Sequence, residues 1–300
     1  MPAQRLLLVH AHPDDESIGQ GATMAKYAAE GRGVTLVTCT AGELGEILVP
    51  SLEHLAADKD DTLGEHRRQE IADAMAELGV TDHRWLGGFG RYRDSGMKWD
   101  DDGNATAADE MDERAFANAD LLEAANHLVE VIREVRPQVL VTYDQFGQYG
   151  HPDHIQAHRV ATYATALAAV PSYRRDLGEA WDISKVYWGA MSESRFREGM
   201  RALRDAGDTT SFEGMDPDGP LPWTTPDADL AAVVDATDYA ERKIAAMKAH
   251  ATQITVDGPF FALSNNAGNH VWGVEYYRLA KGTQGELGPD GLETDLFAGL

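Results

Sequence analysis

The sequence predicts an α/β fold: a doubly wound, mostly parallel sheet with helices on both faces and a smaller mixed C-terminal portion. Three observations carry this reading. Short apolar runs alternate with helix-period segments over the first 170 residues, and a hydrophobic content of 43% over 300 residues suffices for a sizeable core. His-Pro-Asp also occurs twice, each time beyond an apolar run. Leu6-Leu7-Leu8-Val9 leads into His10-Ala11-His12-Pro13-Asp14-Asp15-Glu16, and Val139-Leu140-Val141-Thr142-Tyr143 leads, through residues 144–149, to Gly150-His151-Pro152-Asp153-His154.

The elements follow in order. After the first strand, residues 18–31 read as a helix with Ile18, Ala22, Ala25 and Ala29 on one stripe and Gly31 as its stop. A second strand, 34–40, ends in the turn Ala41-Gly42-Glu43. Residues 64–78 place Ile71, Met75 and Leu78 at helical spacing, with Gly79 as the C-cap. His83-Arg84-Trp85-Leu86 is a short third strand. Residues 90–115, rich in Asp, Gly and Asn and without apolar periodicity, read as a long surface loop of the kind that serves as a lid or binding loop. The helix 121–135 is amphipathic through Leu121, Ala125, Leu128, Val129 and Ile132, and Arg136-Pro137 breaks it before the strand 139–143. A helix over 155–169 follows the second His-Pro-Asp turn. Later signals are weaker: a strand at 185–191, a helix at 193–206, a Pro-, Gly- and Asp-rich loop at 208–227, a helix at 239–251 and a tail of mixed pattern.

No linker divides the chain, which reads as a single domain over 1–300. Its Rossmann-like core spans 1–170, and an extension over 171–300 completes the pocket. Strand–helix alternation implies right-handed crossovers. If the fourth strand pairs with the first, the two His-Pro-Asp turns face each other at a topological switch point, where open α/β sheets bind ligands.

The formal charge is −24, from 50 acidic and 26 basic residues. Such a surface repels nucleic acid and anionic membranes and counts against those partners, and its acidity is read first as serving solubility. Cys39 is the only cysteine, so no intrachain disulfide forms, and its place in the apolar run 34–39 makes it a buried strand thiol. The five-residue run after Arg5 is too short for a signal peptide's apolar region. No window approaches the roughly 18 apolar residues of a membrane span. A cytoplasmic location is expected.

Hydrolytic zinc sites use neutral imidazole and carboxylate, with three protein ligands and one position left for water. His12 and Asp15 from the first turn with His154 from the second are the most economical set. One His or Asp pair near a turn usually makes only local hydrogen bonds; two such turns at strand ends reverse that balance. Asp14, beside a proposed ligand, is a candidate general base, and its competing role is to cap the next helix at Ser17 or Ile18. With Asp153 nearby to favour its imidazolium, His151 is a candidate to donate to an oxyanion or protonate a leaving amine. Tyr149 offers a hydroxyl at the same rim, while His10 is expected to be a core histidine.

Ala11-His12-Pro13-Asp14-Asp15-Glu16 together with Gly150-His151-Pro152-Asp153-His154 resembles the zinc-dependent N-acetylglucosaminyl de-N-acetylase family related to phosphatidylinositol-glycan deacetylases. The residues 40–46, Gly64-Glu65-His66-Arg67, Leu86-Gly87-Gly88, Arg91-Tyr92-Arg93-Asp94-Ser95-Gly96-Met97, Thr142-Tyr143-Asp144 and Lys248-Ala249-His250-Ala251-Thr252-Gln253 are similar to its mycothiol-pathway subgroup. The resemblance implies a zinc enzyme that removes acetate from an N-acetylglucosaminyl-inositol, with ferrous iron as an alternative metal. It implies His12, Asp15 and His154 as ligands and Asp14 as general base. His151 becomes a charged electrophilic helper with Asp153 as its carboxylate partner, and Tyr149 a mobile residue on the oxyanion side. Arg67, Asp94 and Glu46 would hold sugar or inositol hydroxyls. Two departures bear on the substrate: the lead-in Gln145-Phe146-Gly147-Gln148, where Phe146 would narrow the pocket, and a long acidic stretch from Trp99 to Asp112. The alternatives are a sister amidase of thiol conjugates, a deacetylase of another N-acetylglucosaminyl compound, a phosphoester hydrolase and a metal-stabilised binding module.

Overall fold

Side chains of a strand alternate between its two faces, and the buried first strand uses both. Leu6 and Leu8 pack into one core with residues of the first two long helices, while Leu7 and Val9 pack into a second core on the opposite face. The computed structural model describes residues 3–100, 103–221, 223–258, 261 and 269–300. Its strands are β1 (Arg5–His10), β2 (Gly33–Thr38), β3 (Asp82–Trp85), β4 (Met97–Trp99), β5 (Ala105–Ala107), β6 (Val139–Thr142), β7 (Lys185–Ala190), β8 (Ala232–Asp235) and β9 (Val274–Lys281). The helices are α1 (Asp15–Ala29), α2 (Leu63–Leu78), α3 (Leu121–Val135), α4 (Gly147–Gly150), α5 (Pro152–Ala168), α6 (Glu193–Asp205) and α7 (Ala240–Ala249).

The main sheet has the order β3-β2-β1-β6-β7-β9-β8. The pairs from β3 to β7 are parallel, and β9 is antiparallel to both β7 and β8. The fourth strand of the sequence reading does pair with the first: Leu6, Leu7 and Leu8 stand opposite Val139, Leu140 and Val141. The chain leaves β1 toward β2 and returns at β6 on the other side. A crevice therefore opens at the carboxyl ends of β1 and β6. Helices α3 and α5 cover one face; α1, α2 and α7 cover the other.

Three features differ from the sequence expectations. The loop 90–115 contains a small hairpin, β4 paired antiparallel with β5. The mixed tail is β9, and β8 precedes α7. Helices α1 and α5 begin at Asp15 and Pro152, three residues before the apolar stripe becomes visible, so both His-Pro-Asp motifs flank helix starts. Helix α1 is also interrupted at Gln20 (φ −131°), and the Glu275 carboxylate of β9 accepts from the freed Ala22 and Thr23 N–H groups at 3.0 and 2.8 Å. Lys243 of α7 neutralises that buried carboxylate at 2.7 Å.

The C-terminal segment returns to the first helix. Arg32 grips Asp295 with two bonds of 2.8 and 2.7 Å, and Leu296 N donates to Tyr27 Oη at 2.9 Å. Glu293, fully buried, accepts from Lys185 and Tyr187 of β7. Among the described residues no helix is long and apolar enough to cross a membrane.

Candidate metal centre and active site

The β1/β6 pairing brings the two turns together. Within the first, His12 N donates to Asp15 Oδ2 at 2.9 Å, which turns the Asp15 carboxylate back toward His12. From the end of β6, Tyr143 reaches across. Its hydroxyl accepts from Ala11 N at 2.8 Å and donates to Asp15 Oδ2 at 2.7 Å, and its ring stacks on His154 at 4.2 Å and 18°. Tyr143 thus orients two of the residues expected to bind metal, a role the sequence reading did not assign. His10 is a buried core histidine, as expected; its Nδ1 lies 3.2 Å from Tyr143 Oη.

His12, Asp15 and His154 converge. Asp15 Oδ2 is 3.5 Å from His12 Nδ1, and Asp15 Oδ1 is 3.3 Å from His154 Nε2. Burial would raise the Asp15 pKa, but His154 and then His12 hold it well below the usual carboxylate range. Among the described residues, the groups whose ligand atoms all lie within 4.8 Å of one another are His12, His151 and His154, and His12, Asp94, His151 and Asp153; Asp15 instead meets His12 and His154 one at a time, through different oxygens.

The residues fit a divalent cation on one observation. His154 is buried with both ring nitrogens lacking a hydrogen-bond partner. A buried polar atom without a partner costs about 1–3 kcal/mol, and imidazole nitrogen is a common metal donor. His12 is prepared in the same sense. Its Nε2 faces Asp153 at 3.2 Å and Asp94 at 3.7 Å, so a proton there leaves Nδ1 as the electron-pair donor on the Asp15 side. Against burial, Asp94, Asp15 and Asp153 raise the His12 pKa well above its ordinary value; the pocket draws positive charge.

Asp153 departs from expectation. Its carboxylate goes to His12 and to Ser95, whose N donates at 2.9 Å and whose hydroxyl also donates, and His151 receives only the Asp153 backbone N–H on Nδ1 at 3.1 Å. That bond occupies the Nδ1 lone pair. Burial, then His12 and His154, lower the His151 pKa to about 2. His151 thus has no hydrogen bond to the Asp153 carboxylate, and its burial favours the uncharged ring. Ser95 was also missed; its only signal was its place after Asp94 in the Arg-Tyr-Arg-Asp-Ser-Gly-Met stretch.

Asp14 holds the N-cap position of α1 but its side chain caps nothing. It accepts instead from Arg67 Nη2 at 3.0 Å. Burial raises its pKa to about 6 against the opposing pull of Arg67. Its backbone lies at φ 119°, ψ −35°, a conformation that costs a non-glycine residue about 1–3 kcal/mol. Arg67 is buried, not a surface helix charge, and also donates to Gly42 O (2.9 Å) and Pro13 O. Gly42, at φ 62°, leaves room for this guanidinium: a Cβ there would lie 1.8 Å from Arg67 Nη1 and displace it. Asp94 is buried and accepts from Gly96 N and Leu44 N at 2.9 and 3.2 Å. Glu46 is exposed, and its carbonyl accepts from Gln253.

Tyr149 stands over the group with its ring 5.1 Å from His154 and 6.1 Å from Trp99 of the hairpin. Burial, with Asp15 and Asp14, raises its pKa well above 10 and keeps the phenol a donor. Gly150 lets the loop pass the hairpin: its φ is 100°, and a Cβ would meet Ala105 O at 2.4 Å. In front of Asp14, Asp15 and His154 lies a cavity of about 1370 Å³, with Trp99, Phe146, Tyr149, Phe196, Phe212 and Trp223 in its walls. Phe146 lines this cavity while 64% exposed, on its solvent side.

Residues 7–165 match the PIG-L family, GlcNAc-PI de-N-acetylase. A protein of Nocardioides sp. named 1D-myo-inositol 2-acetamido-2-deoxy-alpha-D-glucopyranoside deacetylase is 78% identical over 298 residues, 99% of each chain. One of the same name from Kribbella flavida is 67% identical over 301 residues, covering 100% of this chain and 99% of its own. Among solved structures, the N,N'-diacetylchitobiose deacetylase from Pyrococcus horikoshii aligns with a TM-score of 0.60 at 23% identity, over 92% of this chain and 83% of that one. The Pseudomonas putida hydratase GalB aligns with a TM-score of 0.61 at 18% identity, over 94% and 98%. Those two likenesses establish the fold alone. A match spanning both His-Pro-Asp turns, with relatives of this identity along the full length, makes the chain a member of the PIG-L de-N-acetylase family.

Proposed function

We propose that the protein hydrolyses the acetamide of 1D-myo-inositol 2-acetamido-2-deoxy-α-D-glucopyranoside, releasing acetate and the free amine as a step of mycothiol biosynthesis in the cytoplasm. One zinc ion per chain serves the reaction, with ferrous iron as the alternative. The carrying observation is His154, buried near His12 with Nδ1 unpartnered and Nε2 facing the Asp15 carboxylate at 3.3 Å without a well-formed hydrogen bond. The names of the Nocardioides and Kribbella relatives support the substrate. The net charge of −24 favours a small polyol over nucleic acid or an anionic membrane.

His12, Asp15 and His154 would hold the cation; Asp15 is preferred to His151 because it faces both other ligands and the His151 Nδ1 lone pair is already used. When bound, the cation supplies a Lewis acid for the acetamide carbonyl and lowers the pKa of water in its open position. Asp14, oriented by Arg67, takes a proton from the attacking water. The neutral phenol of Tyr149 and Nε2–H of His151 donate to the carbonyl oxygen as negative charge develops. Protonated Asp14, with its pKa raised to about 6, returns the proton to the departing nitrogen. Asp94 and Glu46 meet sugar and inositol hydroxyls, and Asp153 holds His12.

The cavity of about 1370 Å³ favours one second reading, cleavage of a bulkier N-acyl group as in the sister amidase of thiol conjugates. Metal analysis of purified protein, combined with amine-release assays on N-acetylglucosaminyl-inositol and on a thiol-conjugated substrate, tests both. Amine release from the first with stoichiometric zinc is expected. Release only from the conjugate would move the assignment to the amidase, and release from neither would overturn both.

A further inference from the structure

Glu16, at the end of the first His-Pro-Asp motif, and the late stretch Lys248-Ala249-His250-Ala251-Thr252-Gln253 take no direct part in that reaction. The fold joins them. Glu16 and His250 are both fully buried, and His250 Nε2 lies 2.8 Å from Glu16 Oε1, which also accepts from Ser17 Oγ at 2.6 Å. The other carboxylate oxygen, Glu16 Oε2, accepts from the Asp14 backbone N–H at 3.0 Å.

That N–H belongs to the Pro13–Asp14 peptide group, whose carbonyl oxygen receives Arg67 Nη2. One peptide plane is therefore gripped at both ends by buried charges of opposite sign, Arg67 on its oxygen and Glu16 on its nitrogen. On its other side the Asp14 carbonyl accepts from Ile18 N of α1 at 2.9 Å, so with both neighbouring peptide planes held, φ of Asp14 stays at 119°, a value the residue would not keep unaided. His250 is itself held. It closes α7, its carbonyl accepts from Ile254 N at 2.9 Å and Gln253 N at 3.0 Å, and Thr252 anchors the turn to Glu70 of α2 with bonds of 2.8 and 2.7 Å.

We propose that Glu16 and His250 are positioning residues that keep Asp14 in its left-handed backbone conformation, and so aim its carboxylate at the reacting centre. This rests on the reading of Asp14 as the general base. A buried ion pair tying α1 to α7 would give the same contacts between Glu16 and His250, but would not require Glu16 to hold the Asp14 N–H.

The test uses the full-length, metal-loaded protein with N-acetylglucosaminyl-inositol. Glu16→Ala should lower kcat about 10²-fold, the scale of a misplaced catalytic group, with KM within about twofold and metal content unchanged. Added to Asp14→Ala, the same substitution should change residual turnover less than about twofold, because its effect passes through the missing carboxylate. His250→Gln, which keeps an N–H donor for Glu16, should retain more activity than His250→Ala. If Glu16→Ala does not fold, Glu16→Met, similar in size but without an acceptor oxygen for the Asp14 N–H, serves, and its crystal structure reads φ of Asp14 directly. A full multiplicative loss in the Asp14→Ala background, or an unchanged Asp14 φ in Glu16→Met, overturns the proposal. An Asp14→Ala enzyme as active as the wild type overturns instead the base assignment beneath it.

Discussion

Asp153 Oδ2 lies 3.2 Å from His12 Nε2, on the side of the ring remote from the nitrogen that faces Asp15 at 3.5 Å. A carboxylate there fixes the tautomer and increases the basicity of the other ring nitrogen. Asp153→Asn should therefore weaken cation binding about 10–100-fold, as read by competition with a chromophoric chelator. Excess metal should restore most of the lost turnover. Unchanged affinity would mean that Asp153 acts on the reaction by another route.

Asp14→Ala should depress turnover about 10²–10⁴-fold while one metal per chain remains, checked by amine release alongside elemental analysis. Loss of the metal in this variant would show that base and ligand have been exchanged. A base has to be ionised to accept a proton, and burial lifts the Asp14 pKa to about 6. The wild-type kcat/KM should thus fall as pH drops through about 6, and that limb should vanish from the residual activity of the variant.

Glu275 answers two backbone N–H groups of α1 and the ammonium of Lys243, all buried. Glu275→Ala strands every one of them. The expected loss is about 3–5 kcal/mol, measured by urea denaturation. Replacing Lys243 and Glu275 together by apolar residues should restore part of it, since the buried charge then disappears.

His83, on β3, is half-buried beside Thr38 Oγ1 at 3.0 Å, and burial lowers its pKa from 6.5 to about 4. Between those values the unfolded chain binds the extra proton, so folding weakens as pH falls from 6.5 toward 4. The contribution between pH 7 and 5 is about 1–2 kcal/mol after allowance for partial exposure. His83→Gln should flatten that part of the stability profile; an equally steep profile would assign the acid sensitivity to other groups.

The parallel core was legible because its strands are buried on both faces and its helices carry clear apolar stripes, as in α3 with Ala125, Leu128, Val129 and Ile132 all buried. Strands β8 and β9 were not. Ala232–Asp235 is only four residues long, and Val274–Lys281 alternates buried with half-exposed positions ending in a polar turn. The hairpin β4–β5 has three residues per strand, below any periodicity. At the site, residue types and turns were readable, but partners were not. Asp153 with His12, Tyr143 with Asp15 and Arg67 with Asp14 are separated by 141, 128 and 53 positions, and only the pairing of strands and packing of α2 decide who meets whom.

The return of residues 293–297 to Tyr27, Arg32 and Lys185 has a consequence for biosynthesis. An emerging polypeptide shows β7 as a bare edge until β9 leaves the ribosome, and the first helix waits as long for Asp295. Half-made chains of this protein are thus exposed to association through that edge. Shortening the far end by about ten residues keeps β9 but takes Glu293 from the buried Lys185 and Asp295 from Arg32, and should lower the yield of soluble protein.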